Sequence, residues 1–380
     1  LTPPPYTIRF SSDPALQRVY TDLGAAGLTD GALDQGFTSI DYSRVQAGTA
    51  RSVRDRGLDS AELFGTLTTN TTLASVYQRF AGEALPWVPS NNPVTQAALQ
   101  RFDAGIAAWR RTHGMPTGVN RALAEHIFQW VTDPQGLALS SQANPPERDF
   151  DQTLAAGGGD CTEFTKVLLA LLQRVGFNPY PVWVGVDLHG DRVNHIATGI
   201  TLNGNTVLLD PIYQVFDPSH RATTRLSLRE FLAWHWNNRA LDIQAASVPT
   251  ALSLYQRAIQ IDPANPHLWL NRGIFQRDLR HDSVAARQDF QEALRLDSSF
   301  HEAHYELGNL DYDAGQYQDA ARHYQQALAQ YSGDSRYRRN LILSLIRMGD
   351  RLQARQHYQI LVQQDPNAGD LPRLGRLLGG

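Results

Sequence analysis

The three residue types that a thiol nucleophile needs occur at Cys161, His195 and Asp210, and Cys161 is the only cysteine in 380 residues. It follows Gly157-Gly158-Gly159-Asp160. The apolar residues after it, Phe164, Val167, Leu168, Leu171, Leu172 and Val175, recur at the three-and-four spacing of a helix with one buried face. Asp160 is a good N-cap and Glu163 completes a capping box, so Cys161 belongs to the first turn. Gly176 and Pro179 end the helix. A sulfur in that turn meets unpaired backbone N–H groups and the positive end of the helix dipole, which favour thiolate and can steady an oxyanion. The glycine run lets a substrate backbone come close.

The histidine and the carboxylate fall in a segment that reads as strands. Val182, Val184 and Val186 alternate within 181–188, His189-Gly190-Asp191 makes a turn, and 194–202 is a second strand. Asn203-Gly204 signals a two-residue hairpin leading into 205–210. Such a loop pairs Ala197 with Asp210 and makes His195 and Asp210 diagonal neighbours on one face, about 7–8 Å apart at the backbone. A three-residue loop would put them on opposite faces. If the helix tip packs against the shared face, Cys161 attacks an amide carbonyl, His195 shuttles the proton and Asp210 fixes the imidazole tautomer. Reaction then runs through an acyl-thioester. Each residue also has a plainer reading, as an inert buried cysteine, a packed strand histidine and a turn-opening Asp-Pro. Agreement between the capped helix and the hairpin register favours the triad.

The order GGGDC at a helix start, then RVNHIATGI, then TVLLDPIY resembles the transglutaminase-like superfamily over about residues 118–217. That resemblance implies a papain-like α+β core, Cys161, His195 and Asp210 as catalytic residues, and a peptide or protein substrate. Ile196-Ala197-Thr198 stands where many members carry tryptophan or an acidic residue. Hydrolysis by a protease or amidase and transfer to an amine therefore both stay open.

Other elements must position these residues. A helix over 118–132, with Ala122, Leu123, His126, Ile127 and Trp130 on one face, should support the catalytic helix, and His126 reads as a packed histidine. Residues 133–157 read as one long polar loop on a substrate-facing rim. From that rim Gln152 is a candidate oxyanion donor. Residues 1–115 read as an α-rich N-terminal region with helices at 13–23 and 93–112, and 116–225 as the catalytic domain.

From 226 to 380 the chain is repetitive. Leu307-Gly308, Gly315, Tyr317, Ala320, Tyr324 and Ala327 have the spacing of a helix-turn-helix repeat of about 34 residues. The preceding unit, with Trp269, Gly273, Ala286, Phe290 and Ala293, carries one extra residue near His281-Asp282. A further unit has Leu341, Gly349, Ala354, Tyr358 and Pro366, and an irregular first one has Tyr255, Ala258 and Pro263. These units resemble the tetratricopeptide repeat. The resemblance implies an all-α solenoid whose concave face holds an extended peptide or a protein partner. A non-catalytic adaptor is accordingly the alternative to the thiol enzyme.

Net charge of −4, from 34 basic and 38 acidic residues, argues against a general nucleic-acid binder. No apolar run is long enough to span a membrane. The start at Leu1-Thr2-Pro3 suggests a removed leader or a fragment, and with the former a periplasmic or secreted protein. Histidines three apart in His301-Glu302-Ala303-His304 miss the four-residue spacing of a zinc motif, and GGGDC lacks the lysine of a phosphate loop. Neither a metal nor any other cofactor is implied. Lys166 is the only lysine. This suits either an arginine-rich proteome or an enzyme that avoids being its own amine acceptor.

Overall fold

The computed structural model describes residues 85–115, 117–142, 145–217, 220–366 and 368–379. The helix expected at 13–23, and most of the expected N-terminal region, lie outside the described residues. The chain divides into two compact units, Leu1–Asp242 and Ile243–Gly380. Among the described residues no helix is long and apolar enough to cross a membrane.

In the first unit, helix α1 (Pro93–Thr112) starts where the Asn92 side chain accepts from Thr95 N–H, and Asn120 caps α2 (Arg121–Thr132) in the same way through Leu123 N–H. Residues 133–157, expected as one loop, instead contain strand β1 (Ser140–Ser141) and helix α3 (Phe150–Ala156). Apolar Phe150 and Thr153 bury one side of that short helix, and Asp149 with Gln152 gives it a capping box. β1 pairs in parallel with β2 (Gly158–Gly159), which leads into α4 (Cys161–Arg174). Gly158 has φ +152, and a Cβ there would lie 1.9 Å from Ser140 O, so the glycine run serves this close pairing.

Five antiparallel strands follow in the order β6-β5-β4-β3-β7. They are β3 (Tyr180–Val186), β4 (Arg192–Leu202), β5 (Asn205–Asp210), β6 (Val215–Phe216) and β7 (Ala222–Arg225), and helix α5 (Leu228–Ile243) follows them. The β4–β5 hairpin has the two-residue register, with Leu202 opposite Asn205 and Thr198 opposite Leu209. Both loop residues are left-handed, Asn203 at φ 51 and Gly204 at φ 81, as a turn matching strand twist requires.

Alternation assigns the two faces of this sheet. Ile200, Val207 and Leu209 form one core with Phe164, Val167, Leu168 and Leu171 of α4 and with residues of α1 and α2. Trp183, paired with Ile196, points the same way and stacks on Trp234 of α5 at 5.4 Å. Helices α4 and α5 therefore cover the same face. Tyr180, Val182 and Leu208 make a separate cluster on the other face, where the Arg225 guanidinium covers the Tyr180 ring at 3.9 Å.

The second unit is all helical: α6 (Val248–Ile261), α7 (Pro266–Asp278), α8 (Ser283–Leu296), α9 (His301–Asp313), α10 (Tyr317–Gln330), α11 (Ser335–Met348), α12 (Arg351–Gln364) and α13 (Leu371–Gly379). The starts of α7, α9 and α11 keep the repeat length of about 34 residues. The extra residue of the α7–α8 unit is taken up around His281, at φ 53. Gly308 of α9 admits the Tyr324 ring, and Gly273 of α7 admits Phe290, so that each pair closes on a buried aromatic. Ala286, Ala293, Ala320, Ala327 and Ala354 are fully buried where the helices approach.

Candidate functional site

Helix α4 begins as its sequence dictates. Asp160 accepts from Thr162 N–H at 2.8 Å, and Glu163 Oε2 accepts from Asp160 N–H at 3.1 Å. Cys161, next in line, is half-buried, and its sulfur takes a hydrogen bond from Ile196 N–H on β4. Burial, then Asp160, with Glu163 and Glu147 adding, pushes the thiol up to about 12, against the pull of the Ile196 N–H. The resting group is therefore a thiol, not the thiolate expected from helix polarity. Desolvation and three nearby carboxylates outweigh a favourable half-charge at the helix end.

His195 Nε2 lies 2.7 Å from Asp210 Oδ2, and both residues are buried. The diagonal register of the hairpin makes this contact possible. Asp210 Oδ2 also receives His220 Nε2 at 2.9 Å, and Oδ1 receives Tyr213 N–H at 3.3 Å. The Tyr213 ring stands edge-on to His195 at 5.2 Å and donates its hydroxyl to Asp187 at 2.8 Å. Asp187 in turn collects the N–H groups of His189, Gly190 and Asp191, each at 2.9 Å, which fixes the turn between β3 and β4.

The structure brings His195 and Asp210 together and sets Cys161 beside the neighbouring backbone. Among the described residues, no hydrogen bond joins the sulfur to the imidazole. The triad requires the tip of the helix to pack against the face carrying His195 and Asp210. The body of α4 packs on the face of Ile200 and Leu209, and at its tip the Cys161 sulfur meets the Ile196 N–H of β4. Packing decides this, because the apolar stripe of α4 follows the three large aliphatic residues and cannot follow a face holding a carboxylate. Gln152 is exposed, and its Oε1 accepts from Asp149 N–H at 3.1 Å, so it caps α3.

Behind Cys161 lies a buried polar cluster that periodicity did not reveal. Lys166 Nζ donates to Glu147 and, at 3.3 Å, to Glu163. Glu147 also binds His235 Nδ1 at 2.8 Å, Thr162 Oγ1 at 3.1 Å and Asn238 Nδ2 at 3.1 Å. Burial alone would raise Glu147, but Lys166 and His235 hold it down to about 2. Burial, then Lys166, brings His235 down to about 4. Burial with Glu147 nearby lifts Glu163 to about 7 in spite of Lys166. The lone lysine was the one sequence signal for this cluster. Glu147 in a loop and His220 in a turn-rich stretch carried none.

In the second unit a cavity of about 240 Å³ opens on the first helices of successive repeats, lined by Arg277, Asn309, Tyr312, Tyr324 and Asn340 among others. Asn309 Oδ1 accepts from Tyr324 Oη at 2.8 Å and from Asn340 Nδ2 at 2.9 Å. Arg277 pairs with Glu306. Elsewhere His301 Nδ1 contacts Tyr337 Oη at 2.8 Å and His304 Nε2 contacts Ser298 O at 3.3 Å. Among the described residues no group of three His, Cys, Asp or Glu is arranged to hold a metal ion.

These paired helices are tetratricopeptide repeats: the family model for the tetratricopeptide repeat matches residues 305–369. Among solved structures, the chain is similar to YrrB, described as a TPR protein with an unusual peptide-binding site, at 21% identity over 37% of this chain and 72% of that one, with a TM-score of 0.33. It is also similar to PilF of Pseudomonas aeruginosa, at 19% identity over 40% and 69%, TM-score 0.37, and to MamA, at 16% over 35% and 73%, TM-score 0.32. No curated protein matches the chain significantly.

Proposed function

We propose that this protein is an interaction adaptor whose tetratricopeptide array takes an extended segment of a protein partner. The observation that carries this reading is the groove on α7, α9 and α11. Its walls present the amides of Asn309 and Asn340 and the Arg277 guanidinium, groups able to bond a peptide backbone or a carboxylate. The match of residues 305–369 to a repeat family supports it. The test is binding of the full chain to an immobilised library of unrelated peptides, against Asn309→Ala/Asn340→Ala. Sequence-selective binding lost in the double variant supports the adaptor. No binding, or binding indifferent to the change, sinks it.

A second reading is a transglutaminase-like, papain-like thiol enzyme in the first unit, favoured by the His195–Asp210 hydrogen bond and the Ile196 N–H at the sulfur. In it, His195 Nδ1 takes the Cys161 proton as sulfur bonds to an amide carbonyl carbon. His195 then gives that proton to the departing amine, and Asp210 keeps hold of Nε2–H throughout. Water or a second amine resolves the acyl-thioester. Because the resting sulfur is a neutral thiol, proton transfer to His195 accompanies its attack on the carbonyl carbon. Incubation with a glutamine-containing protein and a tagged primary amine separates the outcomes. Tag incorporation that needs Cys161 indicates transfer, ammonia or peptide release that needs Cys161 indicates hydrolysis, and neither leaves the adaptor alone.

A further inference from the structure

Asp210 is shared by two imidazoles. His195 Nε2 at 2.7 Å and His220 Nε2 at 2.9 Å meet the same oxygen, Oδ2, while Oδ1 is engaged by Tyr213 N–H. Asp210 and the His220 side chain are fully buried, and the two rings stand at 63° with centroids 6.2 Å apart. The remaining nitrogen of His220, Nδ1, is buried with no partner among the described residues. All of its polar engagement is thus with Asp210.

An ionised carboxylate only accepts, so each ring that bonds it must carry its proton on Nε2. A buried carboxylate held by a single ring would tend to gain a proton or to turn that ring into imidazolium. A second N–H on the same oxygen stabilises the anion and reduces its pull on the first ring.

We propose that His220 is a positioning residue for the His195–Asp210 pair: its Nε2–H on the shared oxygen fixes the Asp210 carboxylate so that His195 bonds it through Nε2–H and leaves Nδ1 free. This assignment rests on the thiol-enzyme reading for its purpose and on the two-ring geometry for its substance. The titratable groups packed against the pair are Tyr213, edge-on to both rings, with Asp187 and His189 behind it, while the Cys161 sulfur meets the backbone N–H of Ile196, next to His195.

The test is long-range nitrogen–proton NMR of the full chain labelled at histidine, with the His195 signals identified by their loss in His195→Gln. Expected in the wild type is His195 as the Nε2–H tautomer. In His220→Phe the single Nε2–H tautomer of His195 should be lost to a mixture with Nδ1–H, because Asp210 is then held by one ring alone. His220→Gln, whose amide can donate from nearly the same point, should keep the wild-type tautomer. Should His220→Phe fail to fold, His220→Ala with and without added imidazole gives the same comparison, imidazole restoring the Nε2–H tautomer. A His195 tautomer that is the same in wild type, His220→Phe and His220→Ala would overturn the proposal. A changed tautomer in a protein whose Cys161 shows no acyl chemistry would uphold the positioning role and remove the thiol-enzyme reading.

Discussion

Lys166 and Glu147 form an ion pair sealed in the first unit, with side-chain exposures of 0% and 3%. Removing the cation leaves a buried carboxylate with hydrogen bonds but no opposite charge. Lys166→Met is expected to cost about 3–5 kcal/mol, read as a lower urea midpoint. Adding Glu147→Gln should recover part of that loss. Equal midpoints for Lys166→Met and wild type would show the pair to be energetically idle.

Glu163 sits in the same cluster with its carboxyl lifted to about 7. Its folded pKa exceeds its unfolded one, so the folded state binds the extra proton between roughly pH 4.5 and 7. This contribution to stability is complete below that window and is lost as pH rises through it. Glu163→Gln keeps the capping box and removes the titration. The variant's stability relative to wild type should climb across that window, and urea titrations at several pH values measure it. A flat difference would contradict the assignment.

Asp160 is both the cap of α4 and, after burial, the largest influence raising the Cys161 thiol. Asparagine caps as well as aspartate does. Asp160→Asn should therefore leave stability within about 0.5 kcal/mol and speed Cys161 alkylation by iodoacetamide at pH 8. Alkylation no faster than wild type would mean that the charge does not govern the sulfur.

Gly308 lets Tyr324 pack against the backbone of α9, and a Cβ there would lie 2.6 Å from Tyr324 Cε1. Gly308→Ala gains helix propensity but overpacks the pair, a net loss of about 1–2 kcal/mol. Thermal unfolding of the variant reads this as a lower midpoint. Gly349→Ala acts differently, because Gly349 ends α11 at φ 82 with open space around it, and its cost comes from backbone strain alone.

His304 and His323 face each other at 5.9 Å, and burial lowers both from the usual histidine value. Their folded pKa values lie below the unfolded one, so their contribution is present above about pH 6.5 and lost as pH falls. The repeat array should weaken under mild acid, and His323→Gln should flatten that slope in pH-dependent melts followed by circular dichroism. A slope unchanged in the variant would assign the acid response to other groups.

Much of the local structure was legible in the sequence, because short-range physics sets it. Cap chemistry at Asp160 and Glu163, left-handed preference at Asn203-Gly204 and the small-residue spacing of the repeats each act within a few residues. From the hairpin turn alone, the closeness of His195 and Asp210 followed. Tertiary structure decided which sheet face α4 would cover, that Cys161 would be buried deeply enough to stay a thiol, that His220 would share Asp210, and that Glu147 would meet His235 from far along the chain. Those outcomes depend on burial and on side chains brought together by the fold, and neither has a periodicity to read.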